Sequence, residues 1–200
     1  MEPATNWDER YAVDHYIYGT SPNEYLRGTV HLLSPGARVL VAADGEGRNG
    51  VWLAEQGMRV VSVDRSAAGV NKAARLAAER GVAIDAVCAD LAIWEPPPGS
   101  FDAAIAIFAH FPPDVRPRIH STLVRALRPG GVLILEAFHP RQLGRASGGP
   151  RDVTMLYDAE TLQRDFADLT ILELGDRIVT LDEGPKHQGE GHVVQLLARR

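Results

Sequence analysis

Arg38-Val39-Leu40-Val41-Ala42-Ala43-Asp44-Gly45-Glu46-Gly47-Arg48-Asn49-Gly50 decides how this chain reads. Its first six residues have the length and apolarity of a strand buried on both faces. Gly45, Gly47 and Gly50 then spell G-x-G-x-x-G, and a helical stretch over residues 48–56 stops at Gly57. Glycines in such a turn let a ligand approach the backbone, while the start of the helix offers it unpaired N–H groups.

Outward from that turn, strands and helices alternate. Residues 59–64 are β-branched and read as a second strand ending in Asp64, where an acidic side chain can hold ribose hydroxyls. Ser66 caps a helix that runs to Arg80 and stops at Gly81. Residues 84–89 and 101–108 read as the third and fourth strands, and residues 113–127 as a helix. Arg128-Pro129-Gly130-Gly131 turns the chain into a fifth strand over 132–138. Such alternation implies a parallel sheet with right-handed crossovers. The tail differs: a loop over 139–150, a short helix over 159–166, and two strand-like runs, 170–180 and 192–198, joined by a polar connector. Two strands in succession pair antiparallel. The expected fold is therefore α/β, a Rossmann-like, mostly parallel seven-stranded sheet with one antiparallel strand at its end and helices on both faces. Ahead of it, residues 23–33 read as a helix. Trp7, Tyr11, Tyr16, Tyr18 and Tyr25 make an aromatic leader, so residues 1–35 are expected to form a lid and 36–200 the main domain.

Composition removes several classes of function. Hydrophobic residues are 45% of the 200 and charged residues 24%, figures of a folded globular chain. A net charge of −5 supplies no field for a nucleic-acid backbone. Cys88 is the single cysteine, which excludes a disulfide framework and a thiolate cluster; no metal is expected. The first residues lack a basic, apolar leader, and the longest apolar run, 103–109, is too short to span a bilayer. A soluble, cytoplasmic protein without membrane or nucleic-acid partners is expected.

Which nucleoside the turn holds depends on charge. Asp44 and Glu46 flank the position of a dinucleotide's diphosphate, and two like charges about 4 Å apart repel by roughly 4 kcal/mol at an effective dielectric constant of about 20. S-adenosylmethionine has no phosphate; it carries a sulfonium and an ammonium group, which suit an acidic turn.

The residues here reach a resemblance. Residues 39–49 resemble the first motif of class I S-adenosylmethionine-dependent methyltransferases, V-L-D-L-G-C-G-x-G-R-N, with Val41 in place of its acid and Ala43 in place of its first glycine. Asp90-Leu91, Phe101-Asp102 and residues 127–133 are similar to later motifs of that family. The resemblance implies S-adenosylmethionine as cofactor, held by Ala43, Asp44, Gly45, Gly47, Arg48, Asp64, Arg65, Asp90, Leu91 and Ile107. The flanks Trp7-Asp8-Glu9-Arg10-Tyr11, residues 18–23 and residues 181–189 resemble the small tellurite-resistance/thiopurine-type methyltransferases. That narrower likeness implies a small-molecule acceptor, a soft sulfur, selenium or tellurium nucleophile, under the leader.

Candidate acceptor contacts are Trp7, Tyr11, Tyr18, His139 and His187, and His110 after the fourth strand is the candidate general base. Cys88, Trp52 and Trp94 read as packing residues; Asp168, Glu173 and Asp176 read as solvated charges. Two rival readings stand beside methyl transfer. The glycine pattern also suits an NAD-dependent oxidoreductase, and the drift at Val41 and Ala43 suits a non-catalytic nucleoside sensor.

Overall fold

In the computed structural model, which describes residues 6–200, the chain forms one seven-stranded sheet in the order β3-β2-β1-β4-β5-β7-β6. The strands are β1 (Arg38–Ala42), β2 (Arg59–Asp64), β3 (Asp85–Cys88), β4 (Phe101–Ile107), β5 (Leu127–Phe138), β6 (Thr170–Asp182) and β7 (Gln188–Arg199). The helices are α1 (Trp7–Tyr11), α2 (Glu24–Thr29), α3 (Arg48–Glu55), α4 (Ala67–Glu79), α5 (Arg116–Ala126) and α6 (Ala159–Asp165). β1 pairs parallel with both β2 and β4, so strand order reverses at β1 and opens a crevice at the carboxyl ends of those strands.

Burial on both faces explains the apolar strands. Val39, Leu40, Val41 and Ala42 are almost wholly buried, and so is every residue from Ala103 to Ile107. Leu40, Ala104 and Leu133 pack on one face with α5 and α6, whereas Val39, Val41, Ile105 and Ile134 pack on the other with Leu26 and Leu53. α4 begins where expected: Ser66 Oγ accepts the Gly69 N–H at 3.0 Å.

Several expectations need correction. The antiparallel strand is β7, which sits not at the end of the sheet but between β5 and β6, antiparallel to both. The connector before it shrinks to residues 183–187, because pairing runs on to Asp182↔Gln188. The turn expected at 128–131 lies inside β5: Leu127 pairs with Phe101 and Val132 with Ala103, so a bulge absorbs the extra residues. α5 starts at Arg116, past Pro112 and Pro113. The helix expected over 23–33 is α2 followed by a 3-10 turn, Val30–Leu32. Cys88 is exposed, since β3 is an edge strand. Among the described residues, no helix is long and apolar enough to cross a membrane.

Candidate functional site

The loops at the carboxyl ends of β1, β2 and β3 bring most of the predicted donor-binding residues together. The Gly45 N–H donates to Asp64 Oδ2 at 2.9 Å, which locks the glycine turn against the end of β2. Asp64 Oδ1 accepts the Ser66 N–H at 2.8 Å, and the Ala89 N–H reaches the Asp64 carbonyl at 2.9 Å. Asp64 and the exposed Asp90 thus follow each other along one edge, with Leu91 buried beside them and Ile107 buried at the end of β4. Burial pushes the Asp64 carboxyl up, against the pull of its backbone N–H partners.

The turn itself is tight. Gly47 caps α3 at φ +87°, and a Cβ there would lie 2.5 Å from the Ala73 Cβ. Ala43 takes φ +52°, a left-handed conformation that favours glycine, in the position where the related family has one.

The acidic side chains of the turn do not serve as the charge argument expected. Asp44 is buried; its Oδ2 accepts from Ser62 Oγ at 2.7 Å and from the Gly50 N–H at 3.2 Å, so it holds the start of α3. Burial pushes its carboxyl up to about 7. Glu46 is ion-paired to Lys72 at 2.7 Å and accepts the Ile17 N–H at 2.8 Å. Both carboxylates have partners within the protein.

The leader lies directly on this platform. Asp8 Oδ1 meets Ser66 Oγ at 2.6 Å and the Ala68 N–H at 3.0 Å, adding a second acceptor to the start of α4. Tyr11 is buried, and a Cβ on Gly45 would stand 2.6 Å from its Oη. Trp7, Tyr11 and Tyr18 form one ring cluster, with centroids 5.3 to 6.4 Å apart. The Tyr18 ring in turn meets His187 at 4.6 Å, and His187 meets Phe108 at 4.6 Å and Phe138 at 5.5 Å.

Leader and tail are also joined through buried polar groups. Asn23 Nδ2 donates to Glu183 Oε1 and to Glu136 Oε1, both at 2.7 Å. Arg48 Nη2 pairs with Glu183 Oε2 at 2.7 Å. Burial works to raise the Glu183 carboxyl, yet His187 and the Arg48 guanidinium hold it below the usual range. His187 Nδ1 is buried without a hydrogen bond among the described residues; Glu183 Oε2, at 3.8 Å, is too far for one. Its imidazole is pushed down by burial. Sequence reasoning missed Asn23, Glu136 and Glu183, because their partners lie up to 160 positions away.

The other two histidines are placed differently. His110 Nδ1 bonds the Met155 carbonyl at 2.7 Å, and its Nε2 accepts the Phe138 N–H at 3.2 Å. Both ring nitrogens are engaged, and burial lowers its pKa to about 4. The structure does not bring His139 to the aromatic cluster; its ring stacks on His192 at 4.8 Å.

S-adenosylmethionine fits the residues on this edge. Asp64 Oδ2 accepts from Gly45 and Oδ1 from Ser66, and a carboxylate has further lone pairs for hydroxyl donors. Gly45 lacks a Cβ where the covering group comes closest, and that group is Tyr11.

Comparison with known proteins agrees. Residues 39–131 match the family described as "Methyltransferase domain". Among curated protein sequences none matches the chain. A solved structure described for the conversion of a disulfide bond into a thioacetal group during echinomycin biosynthesis is 22% identical, covering 96% of this chain and 87% of that one with a TM-score of 0.77. TehB from Haemophilus influenzae is 18% identical with a TM-score of 0.71; the match covers 97% of this chain but 65% of TehB. A SAM-dependent methyltransferase from Methanosarcina mazei is 16% identical with a TM-score of 0.67, covering 90% of this chain and 98% of that one. The sheet order, with β7 inserted antiparallel beside β5, is the arrangement that separates this fold from the oxidoreductase reading. With the match over residues 39–131, it marks this chain as carrying a methyltransferase domain of the S-adenosylmethionine-dependent kind, with S-adenosylmethionine as methyl donor.

Proposed function

We propose that this enzyme methylates a small soft nucleophile, a thiolate or a selenium or tellurium oxyanion, held against the aromatic cluster of Tyr18, Phe108, Phe138 and His187. One observation carries the reading. The leader and tail segments whose likeness suggested that acceptor class are packed on each other: a Cβ on Gly184 would lie 2.5 Å from the Gly19 nitrogen. Together with the Asn23–Glu183 bond they form one wall beside the donor platform. The description of one solved neighbour, which concerns disulfide-to-thioacetal chemistry, supports a sulfur acceptor.

The donor supplies an electrophilic methyl group on a sulfonium centre. In this reading Asp64 takes the ribose hydroxyls, Asp90 and Leu91 flank the adenine, and the backbone of residues 43–47, with Arg48 and Arg65 beside it, takes the remainder. Ile107 lines the edge between the two sites. Residues 6–35 act as the lid, residues 1–5 of the expected lid lying outside the described residues; Trp7 and Tyr11 close over the donor, and Tyr18 faces the acceptor. The protein's contribution is to align the nucleophile and exclude water. A soft anion needs no strong base, which accords with His110 having both nitrogens engaged. His110 is then a positioning residue that ties the loop at Met155 to the end of β5. His187 is the imidazole with a nitrogen to spare for the acceptor, and His139, stacked on His192, is not an acceptor contact.

Turnover to S-adenosylhomocysteine with a panel of small thiols, selenite, tellurite and phenols tests this. Thiols or chalcogen oxyanions should be methylated, and His187→Ala should lower turnover while leaving donor binding intact. Turnover confined to phenols, or unchanged in His187→Ala, would overturn the assignment.

A further inference from the structure

We infer that His139, Asp176 and His192 form a binding site for a divalent first-row transition cation of the zinc type, separate from the methyl-transfer site. The three residues come from three adjacent strands. His192 lies in β7, His139 follows β5 directly and its N–H donates to the His192 carbonyl at 3.0 Å, and Asp176 lies in β6. One ring nitrogen from each histidine and one carboxylate oxygen all lie within 4.8 Å of one another. Both imidazoles are buried, and their rings stack 4.8 Å apart, which fixes their direction.

The chemistry of the donors selects the ion. Two imidazole nitrogens and one carboxylate oxygen suit zinc and its neighbours, with bonds of roughly 2.0–2.2 Å and a water in the fourth position. Magnesium and calcium prefer sets made of oxygen alone. His192 Nε2 now lies 2.6 Å from Asp176 Oδ2, a hydrogen bond that an ion would replace. Binding would leave the His192 N–H on Nδ1 and draw His139 in as third ligand. Arg141 Nη1 also touches Asp176 Oδ2, at 3.3 Å, but its side chain is 70% exposed and free to swing away. The Asp158 carboxylate faces His139 from the start of α6 and adds negative charge to the site.

Strand geometry explains why the set escaped sequence reading. Asp176 and His192 are separated by a hairpin, and no two of the three are spaced as a linear metal motif. A bound ion would clip the edge strand β6, whose one strand neighbour among the described residues is β7, to the end of β5.

Titration of the metal-stripped full chain with zinc chloride, followed by calorimetry and by thermal melting, tests the inference. One zinc per chain should bind and raise the melting temperature, with magnesium chloride producing neither effect. Asp176→Asn, at a partly exposed position whose shape is retained, and His192→Gln should each weaken zinc binding about tenfold or more. Arg141→Ala should tighten it by removing the competing cation, and His31→Gln, at an exposed histidine outside the set, should change nothing. Far-ultraviolet circular dichroism establishes that each variant is folded. Absence of zinc binding, or binding that survives both Asp176→Asn and His192→Gln, would overturn the site.

Discussion

The Oη of Tyr11 stands over Gly45 so closely that a Cβ on the glycine would lie 2.6 Å from it. The leader and the glycine turn are therefore a single packed unit, and a change to either is felt by the other. Gly45 also has φ +58°, which an alanine adopts at a cost of roughly 1–2 kcal/mol. Gly45→Ala is expected to lower the melting temperature by several degrees and to expose the leader to proteolysis. In a Tyr11→Ala background the contact is already gone, so only the backbone cost should remain. The double-mutant cycle should return a coupling of about 0.5–3 kcal/mol.

Ala43 offers the reverse experiment. Its left-handed φ of +52° strains an L-residue, and no hydrogen bond from its side chain offsets that strain. Ala43→Gly should relieve it, although glycine returns some of the gain as unfolded-state entropy. A net stabilisation of about 0.5–1 kcal/mol is expected, a rise of roughly 2–4 °C for a domain of this size. Calorimetric melting measures it. S-adenosylhomocysteine affinity in the same variant reports whether the turn was strained at the donor's expense.

The elements of this fold were legible where local chemistry is decisive. β2, the Ser66 cap and the Gly57 and Gly81 stops follow from residue types a few positions apart, and the structure has them as read. The place of β7 was not legible in that way, because strand order is set by long-range pairing rather than by any property of residues 188–199. Side-chain direction failed for a related reason. Asp44 and Glu46 look like an acidic mouth in a linear sequence, but Ser62 and Lys72 draw them inward from β2 and α4. Cys88 was misread because an apolar strand carries no mark of lying at the sheet edge.

Asp44 should make stability fall as pH rises. Its carboxyl is pushed from 3.8 to about 7 in the folded chain, chiefly by burial, so between those values the folded state binds the extra proton. The contribution is absent below about pH 4 and reaches a penalty of roughly 4 kcal/mol by pH 7. Asp44→Asn, which can keep the bonds from Ser62 and Gly50, should therefore gain stability over the native chain progressively from pH 4 to 7. Denaturant titrations at several pH values would show it; a difference independent of pH would contradict the buried-acid reading.

His110 should act in the opposite sense over part of the same range. Burial depresses its pKa from 6.5 to about 4, so the unfolded chain binds the extra proton between those values. Its neutral form contributes stability present above about pH 6.5 and lost as pH falls toward 4. Between about pH 4 and 6.5 the two trends run in opposite directions with similar slopes, so in the native chain they should largely cancel. In His110→Gln the fall in stability with rising pH that Asp44 causes should stand uncovered, and the variant should also loosen Met155, whose carbonyl the ring holds.

Glu183 should prove to be the residue that keeps leader, turn and tail in one piece. It is 4% exposed and accepts from Asn23 in the leader and from Arg48 at the start of α3. Removing it strands the Arg48 charge in a buried site, a loss of about 3–5 kcal/mol for a pair of this kind. Asn23→Ala should cost less on its own, since it leaves that ion pair in place. It does, however, strip both Glu136 and Glu183 of a shared donor. The two substitutions act on one network, so their effects should fall short of additive by about 0.5–3 kcal/mol. Hydrogen exchange resolves where the damage lies. Glu183→Ala should lose protection first in residues 6–23 and 183–187, while β1 and β4 keep theirs. Uniform loss across the sheet would mean that Glu183 supports the whole fold rather than the closure of its lid.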